Sequence, residues 1–192
     1  MGKILVILIF IFIRKKKTAA AGTVFDDIFQ DKDFMDFTLE SEDGTKFPCH
    51  KIVLGTQSSV LKRMFLSPME EKKESNLRLK YKTDIVEKFV QFFYKREIEA
   101  EIEENIDSFL ELADMYDIPN LKDQVEEVAI SKLTEENMVD MFLLADLYSA
   151  EELRKAAEHI IRKNKKKVKE NMAEFEKLER NQLMKILSIL CE

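Results

Sequence analysis

The run from Asp36 to Glu71 leaves a chain of this kind few folds to adopt. Its first residues alternate in polarity. Phe37 and Leu39 point one way while Asp36, Thr38 and Glu40 point the other, the period-two pattern of a half-buried strand. Asp43-Gly44 supplies a tight turn, and a second short strand follows with Phe47 and Cys49 on one side, so the pair reads as a β-hairpin. Two short helical segments come next, Lys51 to Gly55 and Ser58 to Phe65, and Ser58 or Ser59 stands where its hydroxyl caps the second. A hairpin running straight into helices predicts an α+β fold.

The flanking sequence extends this pattern. Thr23 to Phe29 reads as a short amphipathic helix presenting Val24, Phe25, Ile28 and Phe29. After a break at Ser67-Pro68, the alternation of Leu77, Leu79 and Tyr81 predicts a third strand. Asp84 and Glu87 have the spacing of a capping box for a helix whose apolar face is Ile85, Phe89, Phe92 and Phe93. Ile98, Ala100 and Ile102 alternate through a Glu-rich stretch, which predicts an edge strand whose outward carboxylates discourage further pairing.

From Asn105 onward the pattern is helical, and it repeats. Leu112-Ala113-Asp114-Met115-Tyr116 with Leu121 returns at constant offset as Leu144-Ala145-Asp146-Leu147-Tyr148 with Leu153. Each copy reads as helix, tight turn, helix. Pro119 suits the first turn of one returning helix, and Ser149 with Glu152 has the spacing of a capping box for the other. Two copies are too few for a free-standing solenoid, so they must dock on the α/β unit before them.

These residues carry a resemblance. The hairpin, the strand-to-helix junction Phe47-Pro48-Cys49-His50-Lys51 with Leu54, and Ser58-Ser59-Val60-Leu61 leading to Met64-Phe65 resemble the BTB/POZ domain. The likeness covers Thr23 to Lys163 and is nearest to the BTB portion of the speckle-type POZ and MATH-BTB proteins. The first helical copy is similar to the closing hairpin of that domain. The second, Thr134 to Ile161, is similar to the 3-box helical pair of cullin-3 adaptors. The resemblance implies a small sheet flanked by short helices and then a helical extension. It implies the divisions 1–22 for a hydrophobic and basic leader outside the fold, 23–131 for the BTB/POZ domain and 132–192 for a 3-box or BACK-like extension. It implies a dimeric, non-enzymatic substrate adaptor of a cullin-3 RING ubiquitin ligase, or alternatively a dimerisation scaffold that recruits no ligase. The partners implied are a cullin-3 scaffold, a second BTB chain and a substrate protein; no cofactor and no metal are implied.

Composition narrows the classes. A net charge of −6, from 31 Lys+Arg against 37 Asp+Glu, argues against a nucleic-acid binder, which needs a basic surface to neutralise phosphates. Cys49 and Cys191 make neither a disulfide framework nor a metal cluster, which fits a reduced cytoplasmic or nuclear setting. The apolar run Ile4 to Ile13 is followed by Arg14-Lys15-Lys16-Lys17. As a helix it would reach only about 15 Å, roughly half a bilayer core. A leader that is dispensable to the fold or misassigned, and a membrane-associating segment, are the two readings it leaves.

The candidate site residues follow from the resemblance, each against a plainer alternative. Met69 and Glu71 stand where the family inserts a hydrophobic-x-Glu element into the cullin; otherwise they belong to a solvated loop. Phe65 and Tyr116 are candidates for the same face or else core, and Tyr148 is read as packing. Val24, Phe25, Ile28 and Phe29 have too few turns to bury their own apolar face, and an isologous contact across a two-fold axis is the economical solution. Asp36 and Lys51 match a charged pair at the dimer groove, or form a polar bridge from strand to helix. Cys49 beside His50 is no nucleophile–base pair, because neighbours on a strand face apart. His50 is read as a core histidine. The basic run Arg162 to Lys169 is either a nuclear-localisation signal or a solvated helix end.

Overall fold

The computed structural model describes residues 28–29, 31–67, 75–98, 100–170 and 178–191. Val24, Phe25, Met69, Glu71 and the run Ile4 to Ile13 lie outside them.

Strands β1 (Phe37–Glu40) and β2 (Lys46–Cys49) form the hairpin, with Phe37 opposite Cys49 and Leu39 opposite Phe47. Gly44 holds φ +87°, a conformation that an L side chain rarely adopts, so glycine closes the turn without strain. Asp43 accepts hydrogen bonds from Ser41 and from Thr83 at the start of the next long helix, which pins the turn to that helix and holds the Asp43 carboxyl well below the usual carboxylate range. Helices α1 (Lys51–Gly55) and α2 (Ser59–Leu66) follow. Strand β3 (Asn76–Arg78) then pairs parallel to β1, giving the sheet order β2-β1-β3. The third strand is shorter than expected, but Leu79 and Tyr81 still alternate inward at 3% and 6% exposure.

Helix α3 (Thr83–Lys95) is the centre of the core. The expected face Ile85, Phe89, Phe92 and Phe93 is buried, and so are Val86, Val90 and Tyr94, so the helix is covered on nearly every side. Each such side chain stabilises the fold by roughly 1.5–3 kcal/mol relative to exposure. The expected Asp84 cap is not formed. The N-cap is Lys82 without a side-chain bond, and Asp84 sits in the first turn, where its charge still suits the helix dipole.

The edge strand expected over Ile98 to Ile102 is absent. Ala100–Asn105 forms a 3-10 helix instead. Gln124 explains how that stretch does without a strand partner. Its side-chain amide donates to Arg96 O (2.9 Å) and accepts from Ile98 N (2.9 Å), as a neighbouring backbone would. The period-two reading also hid a second spacing. Ile98, Ile102 and Ile106 recur every four residues, and Ile102 and Ile106 are buried as a helical stripe.

The helical half contains α4 (Ile106–Met115), α5 (Pro119–Ser131), α6 (Met138–Leu147), α7 (Glu151–Lys163), α8 (Lys165–Glu170) and α9 (Arg180–Cys191). The sequence repeat is a structural one. Asp117 and Ser149 take φ 49° and 52°, Tyr116 N and Tyr148 N donate to Leu112 O and Leu144 O, and Ile118 N and Ala150 N reach back to Ala113 O and Ala145 O. Both turns are therefore Schellman closures with the same bonds. Ser149 consequently cannot serve as an N-cap, which requires extended backbone; Ala150 holds that place without a side-chain cap. Two cores result. The larger surrounds α3 and reaches Ala145, Ala150 and Leu153, while the smaller joins Met138, Val139 and Phe142 to Ile161, Val168, Ile186 and Leu190. Helix α6 contributes to both.

Candidate protein-interaction surface

Ser58 organises the region around α2. Its hydroxyl accepts from Leu61 N (3.0 Å), capping α2, and donates to Tyr116 O (2.5 Å), the C-cap carbonyl of α4. Ser59 adds a hydrogen bond to Asp117 in the same turn. The start of α2 is thus fastened to the α4–α5 turn. Its far end carries Met64, Phe65 and Leu66. Phe65 is half-buried against the Phe37 ring (centroids 4.9 Å), and Leu66 is 73% exposed. Tyr116 is 8% exposed and packs on Phe89, so in this chain its ring belongs mainly to the core; its neighbour Met115 is the exposed one. Tyr148 is half-buried against the main core.

Asp36 and Lys51 meet, though through main chain. The Asp36 carboxylate accepts from Lys51 N (2.8 Å) at the start of α1, and the Lys51 ammonium lies 5.8 Å from the Phe37 and Phe65 rings. The pair bridges strand and helix.

Ile28 and Phe29 are half-buried. Phe29 stacks on Tyr94 (4.6 Å between centroids), so this chain's own core covers part of the face expected to need a partner. Beneath it, Tyr94 Oη accepts from His50 N (3.1 Å) and shares a hydrogen bond with His50 Nδ1 (2.9 Å). Burial pushes the Tyr94 phenol up to about 12. His50 is 5% exposed, as a core histidine should be. Cys49 is fully buried, its thiol donates to Phe37 O, and burial raises it to about 12, a range without nucleophilic use.

Phe34 and Ile52 are 77% and 73% exposed, and Leu147 is 68% exposed at the apex of the second turn. The sequence reading had singled out none of these three as surface. Leu147 had a signal, since the repeat aligns it with Met115; Phe34 had none. In the basic run, Val168 is 1% exposed and Lys167 pairs with Glu135 and Glu136, so the run is anchored in the fold at its centre.

Among the described residues no group of His, Cys, Asp or Glu could hold a metal ion, and no helix is long and apolar enough to cross a membrane. Two clefts, of about 200 Å³ between α6, α7 and α9 and about 250 Å³ between α5 and α7, are smaller than ordinary ligand sites.

The BTB/POZ domain model matches residues 25–133, more than half the chain. The chain belongs to the BTB/POZ family. The model described as BTB And C-terminal Kelch matches residues 138–189, the second helical copy and the helices after it. Neither is a catalytic family. Kelch-like protein 23 of Mus musculus is 32% identical over 138 residues, 71% of this chain and 25% of that protein. Kelch repeat and BTB domain-containing protein 8 of Danio rerio is 28% identical over 162 residues, 84% and 27% of the two chains. Kelch repeat and BTB domain-containing protein 2 of Homo sapiens is 31% identical over 129 residues, 67% and 20%. The chain thus spans about a quarter of the length of the curated relatives it matches. These relatives are named for kelch repeats, whereas the likeness read from the sequence was to the MATH-BTB branch. What the two branches share is the BTB unit.

Proposed function

We propose that this chain is the BTB and BACK portion of a dimeric, non-enzymatic substrate adaptor that recruits a cullin-3 scaffold, with the division between units at residues 131 and 132. Dimerisation raises the effective concentration of ligase at a bound substrate, and proximity is the whole mechanism. The observation that carries the reading is the fastening of α2 to the α4–α5 turn through Ser58. It ties α2, which ends shortly before Met69 and Glu71 in sequence, to the turn that carries the exposed Met115 and Asp117. A flexible thioether beside a carboxylate suits an apolar groove with a basic rim.

The burial of Tyr116 favours a second reading, because it removes one of the four expected contacts. In that reading the chain dimerises without recruiting a ligase. Met69→Asp combined with Glu71→Lys separates the two. The adaptor reading expects an unchanged melting temperature and loss of cullin-3 from a pull-down. Cullin retention by the double variant, or no cullin with the parent chain, rejects the adaptor reading.

A further inference from the structure

The two equivalent turns are each gripped by an element earlier in the chain. In the first copy, Ser58 of α2 donates to Tyr116 O (2.5 Å). In the second, Lys122 of α5 donates to Tyr148 O (2.7 Å), the carbonyl at the matching position, while also pairing with Asp114 (2.6 Å). One helical turn further along α5, Glu126 accepts from Leu153 N (2.8 Å) in the first turn of α7, a helix without a side-chain cap of its own. Glu126 is 6% exposed. Residues four apart on one face of α5 therefore bracket the α6–α7 turn. A cation meets the C-terminal end of α6 and a carboxylate meets the N-terminal end of α7, and each sign complements the helix dipole it faces.

We propose that Lys122 and Glu126 are positioning residues that clamp the α6–α7 turn to the BTB unit, so that α2, the α4–α5 turn and the α6–α7 turn form one rigid edge. The clamp explains why Ser149, held at φ 52°, is relieved of the capping role its sequence suggested. It also sets Leu147 and Met115, the exposed apolar residues of the two turns, at a fixed separation. The functional consequence rests on the adaptor reading, since a rigid edge can meet a partner at several points without further ordering. The clamp itself does not depend on that reading, and the test needs no partner.

The experiment uses the full chain carrying Cys191→Ser, with spin labels at Arg63→Cys on α2 and His159→Cys on α7, both exposed positions. Cys49 is fully buried and stays unlabelled. Dilution into unlabelled chain suppresses distances between protomers. The parent should give one narrow label-to-label distance. Lys122→Met with Glu126→Ala should lose the narrow peak while far-UV circular dichroism keeps its helical signal. Glu126→Gln alone, which keeps an acceptor oxygen, should retain the peak. A peak as narrow in the double variant as in the parent overturns the proposal, and so does a Glu126→Gln distribution as broad as that of the double variant. Should the double variant fail to fold, Lys122→Met alone decides in the same way, because the methionine keeps the stem packing and removes only the ammonium.

Discussion

Replacing Tyr94 by Phe removes one oxygen and leaves every ring contact in place, which makes it a clean test of the buried junction between β2, α1 and α3. The hydroxyl serves two partners, His50 N at 3.1 Å and His50 Nδ1 at 2.9 Å, in a site where Tyr94 is 1% and His50 5% exposed. Both residues are buried, so solvent does not readily take the place of the lost oxygen. A buried donor left unpaired costs about 1–3 kcal/mol, and the imidazole nitrogen adds a similar cost if it finds no other partner. A total of about 2–6 kcal/mol corresponds, at roughly 2–4 °C per kcal/mol for a chain of this size, to a melting temperature lower by about 4–24 °C. The packing of Phe29 on the ring, centroids 4.6 Å apart, should be unaffected, so oligomeric state should not change. Differential scanning calorimetry with light scattering on the same samples reads both quantities. A melting temperature within about 1 °C of the parent would refute the reasoning, since it would mean that the two bonds contribute nothing net.

Other perturbations follow from the same geometry. Burial, with Asp123 and Glu152 adding to it, holds the Glu126 carboxyl above its ordinary range despite the N–H groups of Leu153 and Glu152. Its contribution to stability is therefore fully present below the unfolded-state pKa and is lost as pH rises through the folded one. Glu126→Gln should accordingly melt at or above the parent at neutral pH, the difference shrinking in acid, as thermal denaturation across pH will show. Ser58→Ala removes the cap of α2 and the donor to Tyr116 O together, and should lower stability by about 1–3 kcal/mol in urea titration without changing the m-value. Gly44→Ala meets no atom within 4 Å, so its cost is the φ +87° backbone alone, about 1 kcal/mol by the same titration.

Much of the fold was legible because its signals are local. The alternation at Phe37 and Leu39, the Asp43-Gly44 turn, the Ser58 cap and Pro119 at the start of α5 all act within a few residues, and all stand where the residue types put them. The repeat was legible for the same reason, because Schellman closure is set by the turn itself. Tertiary substitution accounts for the misses. Gln124 lends its amide to Arg96 and Ile98 in place of a strand, and Glu126 caps α7 in place of Ser149. Neither side chain is near in sequence to what it satisfies. Sequence left Tyr116 open between surface and core because a tyrosine at a helix end reads the same whether its ring turns out or, as here, in against Phe89. Met69 and Glu71 rest on the family resemblance, because a three-residue loop pattern carries little signal by itself.

Light scattering of this chain, alone and then titrated with the N-terminal region of a cullin-3 scaffold, tests the central claim most directly. The account predicts a dimer of the chain at micromolar concentration and a larger complex carrying one cullin fragment per protomer. A monomer, or a dimer whose mass does not change as the cullin fragment is added in excess, would contradict it.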